Sequence, residues 1–123
     1  MNILAIGAHP DDLELRCFGT LAKLKAQGHA IGVCNIANGS LGHVTIPPEK
    51  LKVIRHAEAA AAAALIGAEH FAADEDDMTL DRHNQAVIRR VAEIIRRFRP
   101  DVIFTNDPND YHPDHIEASW LVF

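Results

Sequence analysis

Cysteine is scarce in this chain. Cys17 and Cys34 are the only two, set far apart and without CxxC spacing, so a disulfide framework or a thiolate zinc knuckle has little support. Both are expected to be reduced and half-buried. Positive charge is also short: 12 Lys and Arg stand against 17 Asp and Glu, for a net charge of −5. That balance leaves no basic footprint for a phosphate backbone, which argues against nucleic acid as a main partner. No apolar run reaches the length of a membrane span, and Met1-Asn2-Ile3-Leu4-Ala5-Ile6-Gly7 has no basic segment before it, so no signal peptide is expected and the expected location is cytoplasmic. Internal repeats, linkers and a second composition zone are absent as well. With 48% hydrophobic and 24% charged residues, a disordered or collagen-like chain is excluded. The 123 residues are expected to form a single domain that buries about two thirds of the surface of the unfolded chain.

The hydrophobic pattern predicts alternating strands and helices. Residues 2–7 are a continuous apolar run, the mark of a strand covered on both faces in a parallel sheet. Residues 13–27 read as a helix stopped by Gly28, residues 31–36 as a second buried strand, and residues 49–66, entered through Pro47-Pro48, as an Ala-rich helix ended by Gly67. His70-Phe71-Ala72 suits a short third strand. Asp81 is a candidate N-cap for a helix carrying Val87, Val91, Ile94, Ile95 and Phe98 at helical spacing, which Pro100 ends. Residues 101–105 read as a fourth buried strand, and a last helix is expected near Pro113 or Asp114. The order implies an α/β fold, a Rossmann-like open parallel sheet of order 3-2-1-4 with helices on both faces. Because the chain stops in an apolar helix ending Trp120-Leu121-Val122-Phe123, it is expected to be the N-terminal part of a longer protein.

Chemistry concentrates in two turns. Ala8-His9-Pro10-Asp11-Asp12-Leu13-Glu14 follows the first strand, where a dinucleotide-binding turn would carry glycines; carboxylates there repel a phosphate and suit a cation. Taken alone, Asp11 and Asp12 could equally be complementing a helix dipole, with His9 a plain turn residue. The second turn, Asn106-Asp107-Pro108-Asn109-Asp110-Tyr111-His112-Pro113-Asp114-His115, follows the fourth strand. In a 3-2-1-4 sheet these two turns meet at the switch point, where open α/β sheets bind ligands. A cation there would take His9, Asp12 and His115, and three N/O ligands with an open position suit catalytic zinc. Asp11 is then free to take a proton from metal-activated water, and His112 to donate one to an oxyanion or leaving amine. Asp114 has two readings, holding His112 protonated or capping the last helix.

These residues resemble the PIG-L/LmbE-like zinc-dependent deacetylases, which remove acetyl groups from N-acetylglucosamine-containing substrates. The resemblance rests on Ala8-His9-Pro10-Asp11-Asp12-Leu13-Glu14 and His112-Pro113-Asp114-His115, with weaker likeness at Gly19-Thr20-Leu21-Ala22, Gly28-His29, Arg55 and Glu58 through Gly67. It implies zinc on His9, Asp12 and His115, Asp11 as general base, His112 as general acid or oxyanion stabiliser, and Arg55 near the substrate. The implied partner is a small-molecule N-acetylated amino sugar, with a homo-oligomer left open. Two departures stand out. Ala37-Asn38-Gly39-Ser40 replaces a Thr-Asp-Gly-Glu-like turn, and Cys17-Phe18-Gly19 stands where small residues are usual. Alternatives are a hydrolase of another N-acyl or carbamoyl compound, or a carbohydrate- or nucleotide-binding module with a vestigial metal site.

Elsewhere the signals are bland. Ala73-Asp74-Glu75-Asp76-Asp77 lacks the spacing of a calcium loop and reads as a solvated acidic loop. His29, His43, His56, His70 and His83 read as surface or half-buried side chains, and Trp120 and Phe123 as core or interface. No nucleophile elbow surrounds Cys17 or Ser40.

Overall fold

Apolar runs without alternation become the middle of the sheet. In the computed structural model, which describes residues 1–123, β1 (Asn2–Gly7) lies between β2 (Ala30–Ala37) and β4 (Val102–Thr105), and β3 (Glu69–Glu75) pairs outside β2. All pairings are parallel, in the order β3-β2-β1-β4. Alternate residues of β1 point to opposite faces, and both faces are covered. Ile3 and Ala5 join Ile31, Val33, Leu13, Leu21 and Ala63 under α1 (Asp12–Arg16), α2 (Phe18–Ala26) and α3 (Pro48–Leu65). Leu4 and Ile6 join Cys34, Ile36, Val87, Val91 and Ala118 under α4 (Gln85–Phe98) and α5 (Pro113–Val122). The chain therefore winds one way from β1 to β3 and then returns to β4 on the other side of β1, which creates the switch point.

Several boundaries differ from the sequence expectation, each for a local reason. The single first helix is two: Cys17, at φ −138°, breaks it, and the bend lets Leu13, Phe18, Leu21 and Leu24 all reach the same core. The N-cap of α4 is Asn84, whose side chain accepts from the Ala86 N–H at 3.0 Å, while Asp81 closes a tighter turn by accepting from His83 N–H at 2.8 Å. Strand β3 runs on to Glu75 because Phe71 and Ala73 alternate inward while Ala72 and Asp74 face outward. Strand β4 is not buried on both faces; it is an edge strand, with Val102 exposed and its other residues half-buried. Trp120 and Phe123 are exposed, so neither is core; Trp120 instead receives the Arg82 guanidinium 5.0 Å above its ring. No helix is long and apolar enough to cross a membrane.

Candidate metal centre

Two turns at the C-terminal ends of β1 and β4 are stitched together. The Ala8 N–H donates to Asn106 Oδ1 at 3.1 Å, so the segment after β1 is held against the segment after β4. In the first turn the His9 N–H donates to Asp12 Oδ2 at 2.9 Å, and the Asp12 N–H to the His9 carbonyl at 3.3 Å. This closed loop starts α1 and leaves Asp11 at φ 134°, ψ −25°, a backbone region that side chains other than glycine rarely enter. In the second turn the Asp110 carboxylate accepts from the His112 N–H at 3.1 Å, and His112 caps α5 by accepting the Asp114 N–H on Nδ1 at 3.1 Å. Pro113 sits at the first helical position, where its missing N–H costs nothing.

The side chains of the two turns cross over. His9 Nε2 lies 2.9 Å from Asp114 Oδ2, and His115 Nε2 lies 3.2 Å from Asp12 Oδ1. His115 Nδ1 is 3.0 Å from Asp110 Oδ2, and His9 Nδ1 is 3.7 Å from Asp12 Oδ2. Ring nitrogens of His9, His112 and His115 lie within 4.8 Å of one another. Asp114 is 1% exposed and His115 4%, so both are withdrawn from bulk water.

This donor set fits a divalent metal. Asp110 and Asp114 accept one N–H each from His115 and His9, which leaves His115 Nε2 and His9 Nδ1 turned to the same Asp12 carboxylate. Two imidazole lone pairs and a carboxylate repel one another unless a cation lies among them. The carboxylates behind the rings are the partners that orient metal-ligating histidines. Titration tendencies report the negative field that would draw a cation in. Burial lowers the His9 pKa, but the Asp114 hydrogen bond and the charges of Asp12, Asp77 and Asp114 outweigh it and raise it above its ordinary value. Burial would raise Asp114, yet the His9 hydrogen bond and the Met78 N–H, 2.7 Å from Oδ2, bring it below the usual carboxylate value. Asp110 is also lowered, by the His112 N–H first and then His115.

The structure thus gathers His9, Asp12, His112 and His115, with Asp114 one hydrogen bond behind. The two readings of Asp114 meet a different arrangement: its Oδ2 bonds His9 and the Met78 N–H, its bond to His112 runs from the Asp114 backbone N–H to the ring, and the N-cap of α5 is His112 rather than Asp114. Asp11 and Arg55 share the wall of the same cavity, of about 660 Å³, and Arg55 Nη2 lies 2.8 Å from Asp11 Oδ2 while also bonding the Pro10 carbonyl.

Asp77 was missed. The acidic run was expected to be solvated, but Asp77 is buried and accepts the Gly39 and Leu41 N–H groups at 2.8 and 2.9 Å, building the far wall of the cavity. Nothing in its local sequence marks it; only the loop that folds over it does. Asp110, too, looks like one more turn residue until His115 is seen against it.

Residues 4–123 match the family model described as PIG-L, GlcNAc-PI de-N-acetylase. The chain belongs to the PIG-L family. Over 147 residues it is 31% identical to the 1D-myo-inositol 2-acetamido-2-deoxy-alpha-D-glucopyranoside deacetylase of Rhodococcus erythropolis, covering 95% of this chain and 50% of that protein. The N,N'-diacetylchitobiose deacetylase of Pyrococcus horikoshii superposes with a TM-score of 0.88 at 28% identity, over 97% of this chain and 46% of the other. A second structure of like similarity has a different activity: GalB, the 4-carboxy-2-hydroxymuconate hydratase of Pseudomonas putida KT2440, at TM-score 0.89 and 28% identity, over 99% and 54%. The chain spans about half the length of the curated PIG-L relatives it matches.

Proposed function

We propose that this PIG-L chain carries the catalytic half of a zinc-dependent hydrolase that removes the N-acetyl group from an N-acetylglucosamine-containing small molecule. The observation that carries this reading is the convergence of His9 Nδ1 and His115 Nε2 on Asp12, with Asp114 and Asp110 behind the rings. His9, Asp12 and His115 would hold the metal. Zinc bound there would polarise the acetyl carbonyl and lower the pKa of water toward about 7.

The protein groups supply the rest. Asp11 takes the proton from the attacking water as the oxygen adds to the carbonyl carbon, and Arg55 holds that carboxylate at the cavity wall. His112 stabilises the oxyanion. Its Nδ1 accepts the Asp114 N–H, so the ring proton sits on Nε2 and donates a hydrogen bond to the oxyanion, while the proton that Asp11 took from water passes to the departing amine as the C–N bond breaks. Acetate and a free amino sugar result. Asp114 and Asp110 act as positioning residues, keeping the proton of each ligand ring away from the metal side.

A second reading, water addition to a carbon–carbon double bond, is favoured by the likeness to the Pseudomonas putida hydratase. The same base would serve it, taking a proton from water and returning it to carbon. Metal content and turnover test both readings on dialysed protein. About one zinc per chain is expected, kept by Asp11→Asn and lost in His115→Ala. Acetate release from N-acetylglucosaminides is expected to fall about 100-fold or more in Asp11→Asn. Water addition to an unsaturated carboxylic acid without acetate release would favour the hydratase. Metal without either reaction would point to another acyl or carbamoyl substrate. No metal in the zinc-supplied chain would overturn the assignment.

A further inference from the structure

Behind the first site, on the far side of β2, two further histidines face each other from different elements. His56, exposed on α3, and His70, half-buried on β3, have ring centroids 5.2 Å apart with planes at 64°. Two imidazoles bound to one tetrahedral metal, each nitrogen about 2.0–2.1 Å from the ion, have centroids roughly 5 Å apart. The His9–His115 pair has nearly the same spacing, 5.4 Å at 54°. With Asp74 these two rings line a small cavity of about 10 Å³, roughly the room one water or ion takes, which adjoins a wider opening of about 350 Å³ onto solvent.

The protonation of His70 follows from its neighbour. Asn35 Nδ2 donates to the His9 carbonyl at 3.0 Å, so Asn35 Oδ1 is the atom 3.4 Å from His70 Nε2, and it can only accept. The His70 proton therefore sits on Nε2 and Nδ1 keeps its lone pair. Burial, and secondarily His56, lower the His70 pKa below its ordinary value, which keeps the ring neutral and competent as a ligand. Charge favours a cation as well. Asp74 lines both openings and accepts from Asn38 Nδ2 at 3.4 Å, Asp76 accepts from the same amide at 2.8 Å, and the one nearby ammonium, Lys52, is held by Glu49 at 2.9 Å.

We propose that His56 and His70 form a second, peripheral two-histidine site for a borderline divalent cation such as Zn²⁺, Ni²⁺ or Cu²⁺, distinct from the His9–Asp12–His115 centre, with water completing the coordination. Two imidazoles select such ions over Mg²⁺ and Ca²⁺, which prefer all-oxygen sets. With only two protein donors, one of them an exposed helix residue, the site is the weaker of the two and empties on dialysis. Asn35 bridges it to the other centre, since the same amide touches His70 and the His9 carbonyl.

Titration of the metal-free chain with Zn²⁺ against a chromophoric chelator tests the site, using His56→Ala, a change at an exposed helix position that leaves the fold intact. Wild type is expected to take up one equivalent more than His56→Ala, and His115→Ala to retain the equivalent that His56→Ala has lost. In ¹⁵N imidazole spectra the His56 and His70 resonances should move together as that equivalent binds. Equal uptake by wild type and His56→Ala, whatever the total, overturns the proposal. Should the first centre prove empty, the difference between these two chains still decides the second.

Discussion

Replacing Asp77 is the sharpest test of how the cavity wall is built. Its carboxylate accepts two backbone N–H groups, Gly39 at 2.8 Å and Leu41 at 2.9 Å, from a loop 38 and 36 residues away in sequence. Alanine leaves both donors without a partner. A buried unsatisfied donor costs about 1–3 kcal/mol, and water can reach the Leu41 side of the loop, since that residue is exposed. The expected loss for Asp77→Ala is therefore about 2–3 kcal/mol. Asparagine does not rescue it fully, because its amide offers one acceptor and turns an NH₂ toward the second N–H; about 1–2 kcal/mol is expected. Urea unfolding reads both. With a slope of about 1–3 kcal/mol per molar, the midpoint should fall by about 1 M or more in the alanine variant and less in the asparagine variant. Amide exchange at Gly39 and Leu41 should quicken in the same order. An alanine variant with an unchanged midpoint and unchanged protection at these two amides would refute the argument.

Two further predictions concern other parts of the fold. Glu117 is held below the usual carboxylate range, chiefly by its Arg82 hydrogen bonds, at distances down to 2.5 Å. Its folded pKa lies below its unfolded value, so its stabilisation is present above about pH 4.5 and is lost as pH falls through the folded value. The gap in urea midpoint between wild type and Glu117→Gln should be widest at neutral pH and shrink as pH falls below about 4.5; a gap that widens on acidification would contradict this. Burial pushes the Cys34 thiol up to about 12, and Cys17 is raised too, by burial first and then Glu14. A disulfide reagent at pH 8 should label Cys17 slowly and Cys34 only on unfolding, and equal rates for both would show that the core around β2 opens.

What could be read in the sequence was whatever depends on near neighbours. Apart from Asn2 and Asn35, residues 2–7 and 31–36 are apolar because both faces of their strands are covered, so the pattern alone placed the sheet centre. Two histidine-bearing turns after β1 and β4 were legible for the same reason, and strand order then brought them together. Pairing inside the site was not legible. Nothing in the spacing says that Asp114 serves His9 while Asp12 faces His115, because those contacts span about 100 residues and depend on how α1 and α5 enter the crevice. Asp77 failed for a related reason. An acidic run reads as solvated until backbone donors from a distant loop give one of its members a reason to be buried. Asp81 and Asn84 are both good N-caps, and only the tighter turn at His83 decides between them.

Asp11 carries a consequence for any attempt to improve this protein. Its backbone, at φ 134°, is held where a residue with a side chain costs about 1–3 kcal/mol and glycine costs little. Asp11→Gly should therefore fold more firmly while losing the carboxylate assigned as base. A library screened for heat resistance alone would enrich that exchange early and return sturdy, inert variants. Selection schemes for this scaffold have to couple survival to turnover, because at this position folding and chemistry ask for different amino acids.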